Sequence, residues 1–92
     1  MTTRRVEVQQ APDAVFQRLE AAASGIGKVE QANQDTRSLT VKSRYGLNPV
    51  RLRVSVLSGP LPETSVLDIQ ARGQDILGVA SRKVIDRLVA AL

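Results

Sequence analysis

Residues 50–59 read VRLRVSVLSG. Val50, Leu52, Val54 and Val56 alternate with Arg51, Arg53 and Ser55. Successive side chains of a β-strand point to opposite faces, so this period of two describes a strand with one buried side. Its other side carries two arginines. A sheet built from such strands is covered on one face and polar on the other, which is the habit of antiparallel sheets.

The remaining segments supply partners for this strand. RRVEVQQ alternates around Val6 and Val8 and reads as a first strand. In APDAVFQRLEAAASGIG, Pro12 suits the first turn of a helix, and Asp13 favours the positive end of its dipole. Val15, Phe16, Leu19, Ala22, Ala23 and Ile26 recur at helical spacing, and Gly25 and Gly27 signal a stop. KVEQANQ reads as a strand and DTR as a turn. SLTVKSR sets Leu39 and Val41 against Thr40, Lys42 and Arg44. YGLNP breaks the chain, GPLPE is a loop, and TSVLDIQAR sets Leu67, Ile69 and Ala71 against Val66, Asp68, Gln70 and Arg72.

The last twenty residues form a second helix with Asp75 as a candidate cap. Ile76, Leu77, Ala80, Val84, Ile85, Leu88 and Leu92 give it an apolar stripe, and Arg82, Lys83, Asp86 and Arg87 face water. Gly78 would cost about 1 kcal/mol inside that helix, unless the helix starts beyond it.

The order is β-α-β-β-β-β-α. Short turns between strands imply antiparallel pairing, and two one-sided helices pack most simply on the same face of one curved sheet. The expectation is a two-layer α+β sandwich with a four- or five-stranded sheet, formed as a single domain over residues 1–92. A domain of this size buries roughly 60% of its unfolded surface, so its core is thin.

Composition narrows the chemistry. The chain has no cysteine and no histidine, which closes thiolate chemistry, the common catalytic triads and the usual zinc sites. Asp13 and Glu20 have the spacing of a solvated helix face, and Glu30 and Asp35 flank a turn. GIGK lacks the length and the following Ser or Thr of a phosphate loop. The expectation is a chain without a cofactor or metal, and not an enzyme. MTTRRVEVQQ has no apolar signal core, and the longest apolar run, LVAAL, is too short to span a bilayer. A cytoplasmic chain without a membrane partner is expected.

Two short stretches resemble a known superfamily. VEVQQAPDAVFQRLE is similar to the opening of the START/polyketide-cyclase, or helix-grip, proteins, where a strand runs into a helix start containing proline followed by VF. ASRKVIDRLVAAL resembles the long C-terminal helix of the same superfamily. The chain lacks the two additional strands and the helix on which that superfamily's ligand cavity depends. Its order of elements is also similar to one repeat of the TATA-box-binding protein fold, in which the helix-free sheet face binds DNA. The first resemblance implies a small hydrophobic ligand between helix and sheet, lined by Leu52, Val54, Leu67, Ile69, Val84 and Leu88. The second implies a nucleic-acid surface.

The charge pattern bears on the same choice. With Val6, Val8, Val29, Leu39, Val41, Val50, Leu52, Val54, Val56, Leu67 and Ile69 inward, the outward charges are Arg5, Glu7, Lys28, Glu30, Lys42, Arg44, Arg51, Arg53, Asp68 and Arg72. Seven basic and three acidic residues leave +4, which is the net charge of the whole chain, and the remainder sums to zero. A one-residue slip of any strand would reverse its contribution. Three uses of this face compete: plain solvation, binding of nucleic acid or another polyanion through Arg5, Lys42, Arg44, Arg51, Arg53 and Arg72, and homodimerisation through a face or an open edge. Opposite charges such as Arg53 and Asp68 would pair across a two-fold axis in the third.

Overall fold

In the computed structural model, which describes residues 1–74 and 77–92, the alternating stretch becomes the middle strand of a five-stranded sheet. The elements are β1 (Thr2–Val8), α1 (Pro12–Ile26), β2 (Lys28–Asn33), β3 (Ser38–Tyr45), β4 (Asn48–Ser58), β5 (Ser65–Gly73) and α2 (Val79–Ala91). The fold is α+β in the predicted order. The strands lie in the order β1-β5-β4-β3-β2, and every neighbouring pair is antiparallel. β2 to β5 follow one another across the sheet, while β1 lies beside β5. α1 therefore carries the chain from one edge to the other.

The alternation sets the layers. Leu39, Val41, Val50, Leu52, Val54, Leu67 and Ile69 are buried on one face, and they meet Val15, Phe16 and Leu19 of α1 and Val84, Ile85 and Leu88 of α2. All six predicted apolar positions of α1 pack into or against this core, with Ile26 at its margin. Two buried hydroxyls are satisfied at the rims. Ser43 Oγ donates to the Ile26 carbonyl at 2.6 Å, and Ser65 Oγ donates to the Gln10 carbonyl at 2.6 Å. The first bond satisfies one of the free carbonyls at the end of α1, and the second ties β5 to the residue just before the N-cap of that helix.

Charged residues hold the layers together at the periphery. Arg4 stands on the helix side of the edge strand β1 and donates to Asp86 of α2 at 2.6 Å. Arg37 donates to Asp13 of α1 at 2.7 Å. Arg18 of α1 donates to the Gln10 side chain and to the main-chain oxygen of Leu92.

The helix ends differ in detail from the sequence expectation. Gly25 lies inside α1, and the helix stops at Gly27. A Cβ at Gly27 would run into the main-chain carbonyl oxygen of Lys42, so the chain there must be bare to pass close to β3. At the other helix, Gly78 stands ahead of the first turn with φ 70°, a left-handed conformation that side chains disfavour, and α2 begins only at Val79. Leu77, expected on the apolar stripe, is 77% exposed, because the stripe starts at Ala80. The expected cap Asp75 and the stripe residue Ile76 lie outside the described residues. No helix among the described residues is long and apolar enough to cross a membrane.

Candidate nucleic-acid interface

The helix-free face is a grid whose rows are set by strand register. Arg51 faces Lys42 on one side and Arg72 on the other, and Lys42 in turn faces Lys28. Four cations from β2, β3, β4 and β5 thus stand in one row, spanning three inter-strand gaps, or about 14 Å. Arg44 flanks this row beside Pro49, in the direction of the Gly46–Leu47 turn. On the other side runs a row of hydrogen-bonding groups, Gln31, Thr40, Arg53, Gln70 and Thr3. Next come Asn33, Ser38, Ser55, Asp68 and Arg5, and then Leu57, Val66 and Glu7.

Charge is therefore graded along the strands. All the cations of the face except Arg5 gather towards the β3–β4 turn. Five of the six residues predicted for this site, Lys42, Arg44, Arg51, Arg53 and Arg72, lie there together. Arg5 stands apart, two rows from the cation row and 3.9 Å from Asp68. Lys28 completes the row and was not among the six.

One acidic residue enters the cationic end. Glu30 Oε1 accepts from Arg51 Nε at 2.8 Å, and Oε2 accepts from Arg51 Nη2 at 3.4 Å. Among the described residues, the side chains of Lys28, Lys42, Arg53 and Arg72 make no ion pair. Between the cations lies an open depression of about 680 Å³, lined by Thr40, Lys42, Arg51, Arg53, Gln70 and Arg72 among others.

Tyr45, read from the sequence as a turn residue, is the last residue of β3. Its ring lies on the helix side, 5.2 Å from the Arg87 guanidinium carbon of α2. Phe16 is buried in the core. The chain has no further aromatic residue, so the basic face has no ring on which a base could stack.

The six residues expected to line a hydrophobic ligand site, Leu52, Val54, Leu67, Ile69, Val84 and Leu88, are each 0% exposed and belong to the same closed core. A ligand there would have to part side chains that already fill the space between helices and sheet.

The row had a readable signal that alternation alone does not contain. A two-residue turn at Gly46–Leu47 places Tyr45 opposite Asn48, and counting back places Lys42 opposite Arg51. The six-residue connection from β4 to β5 fixes no such register, and Arg72 is found in the row only in three dimensions. No family model matches this chain, and no curated protein matches it in sequence.

Proposed function

We propose that this protein is a non-enzymatic binding module whose helix-free sheet face takes the phosphate backbone of a nucleic acid. The observation that carries the reading is the row Lys28–Lys42–Arg51–Arg72. Like charges directly opposite one another destabilise a sheet, and a face that only needs water is served better by mixed signs. A row of cations costs stability in the free protein and is relieved when anions lie over it. Such local conflicts are expected where a surface has a task.

The chemistry of the face favours backbone contact over base reading. Lysine and arginine neutralise phosphates, and Thr40 and Gln70 add hydrogen bonds beside them. With no aromatic on the face, a single strand gains no stacking, so a duplex with its dense phosphate charge fits better. Binding would then be largely independent of sequence.

Sedimentation velocity with a short labelled duplex tests this at low and moderate salt. Engagement of three or four cations of the row gives a slope of log K against log salt of about −2.7 to −3.6, or 0.9 per phosphate. Arg51→Gln together with Arg53→Gln weakens binding while the melting temperature stays close to the original. Absence of co-sedimentation at low salt, or a double variant that binds as before, overturns the reading. A rise in melting temperature with a fatty acid would then direct the search to the helix–sheet interface. The same runs give the mass of the free protein, and so show whether the open edges β1 and β2 pair two copies.

A further inference from the structure

We infer that Glu30 is a built-in competitor for the phosphate site, its carboxylate occupying the Arg51 guanidinium edge that an incoming phosphate takes. The inference rests on the reading of the face as a nucleic-acid interface and names the residue that sets its affinity.

The backbone explains how an acid from the edge strand reaches the middle of the sheet. Val29 faces Val41, and Gln31 faces Thr40, so Glu30 is an extra residue between them in β2. A bulge of this kind leaves one residue unpaired and re-aims its side chain. Glu30 extends over β3 and meets Arg51 of β4 with both carboxylate oxygens, at 2.8 and 3.4 Å. The carboxylate thus lies along the Nε–Nη2 edge of the guanidinium. A phosphate uses the same two-point geometry, so the two anions exclude each other from that edge.

The setting of Arg51 makes the competition consequential. Arg51 sits between Lys42 and Arg72, one of the two positions of the row with a cation on both sides. Glu30 relieves that repulsion in the free protein and withholds one cation from the ligand. The Arg51 side chain is 59% exposed and that of Glu30 33%, so the pair is open enough to be displaced. Exposed ion pairs are individually weak, which makes Glu30 a moderator of binding and not a block.

Binding of a fluorescently labelled duplex, followed by anisotropy over a salt series, tests this with Glu30→Gln, Glu7→Gln and each of them combined with Arg51→Gln. Glu7 lies on the same face in the row furthest from Arg51 and is not part of the cationic end. Its variant changes net charge by the same amount. Glu30→Gln tightens binding about fivefold at low salt, the full worth of an exposed pair, and Glu7→Gln does so by less than about twofold. The salt slope of Glu30→Gln steepens by about 0.9, one further phosphate. In the Arg51→Gln background the advantage of Glu30→Gln over Glu7→Gln disappears. Equal gains for the two variants, or a Glu30→Gln gain that survives loss of Arg51, overturn the competitor role while leaving the interface in place. If neither the original protein nor Glu30→Gln binds duplex at low salt, the interface fails and the competitor role with it. Thermal melts followed by circular dichroism confirm that each variant is folded before its binding is read.

Discussion

Leu52 and Arg53 are neighbours in β4, and they obey opposite rules. Leu52 is fully buried between the sheet and the helices, with Val41 and Ala71 beside it on the flanking strands. Arg53 projects from the bare face between Thr40 and Gln70. On the covered face every side chain is constrained by the volume left by its neighbours, and each contributes by leaving water. On the bare face the neighbouring row places cation against cation, an arrangement that contributes nothing to folding. The first face accounts for why this chain has a structure. The second contains features that folding does not require, and there a function is to be sought.

Substitution has its largest effect on the covered face. Leu52→Ala empties a site with no route for water, at the centre of the middle strand. The expected loss is about 2–5 kcal/mol of unfolding free energy, measured by urea titration. A loss below 1 kcal/mol would mean that the core around Leu52 is loose enough to admit a ligand. Gly27→Ala comes next. Its methyl group meets the Lys42 carbonyl, and the start of β2 must move away from β3 at a cost of about 1–3 kcal/mol. Since Lys28 follows directly, its place in the cation row moves too, and duplex binding falls along with stability.

The two faces also differ in how far they can be read before the fold is known. Alternation separates Val50, Leu52, Val54 and Val56 from Arg51 and Arg53 because pleating permits only two directions. The same logic assigns β3 and β5, and the 3.6-residue period assigns the apolar side of α1. It identifies the members of the bare face but not their neighbours. Lys28, Lys42, Arg51 and Arg72 are far apart along the chain, and their row depends on register across three ladders. Glu30 is less legible still. KVEQANQ shows no sign of the bulge that turns Glu30 onto Arg51, since an extra residue in a ladder is defined by the partner strand. The start of α2 is an intermediate case. Gly78 carried a warning, but only its left-handed backbone shows that the helix begins after it and that Leu77 is outside.

A smaller effect of opposite sign is expected on the bare face. Arg72→Glu replaces one like-charged cross-strand contact, with Arg51, by an opposite pair. At low salt the variant should be more stable by about 0.2–1 kcal/mol. The gain should shrink towards zero near 1 M salt, where the screening length falls to about 3 Å. Duplex binding should weaken in the same variant, because a phosphate contact becomes a repulsion. A variant that is less stable at low salt would show that the row carries no repulsion, and that no conflict there marks a binding surface.

The smallest effect on stability is expected one residue from the largest. Arg53→Gln keeps the stem and a hydrogen-bonding end while removing the charge. Its side chain makes no ion pair among the described residues, so unfolding free energy should change by no more than about 0.5 kcal/mol. Binding separates the two possible roles of the side chain. If Arg53 contacts a phosphate from beside the row, the salt slope falls by about 0.9 and the affinity drops at every duplex sequence alike. If the slope is unchanged while Arg51→Gln lowers it, the interface is confined to the single row Lys28–Lys42–Arg51–Arg72. The bound duplex then crosses the strands, and Arg53 belongs with Thr40 and Gln70 to a margin that only meets water.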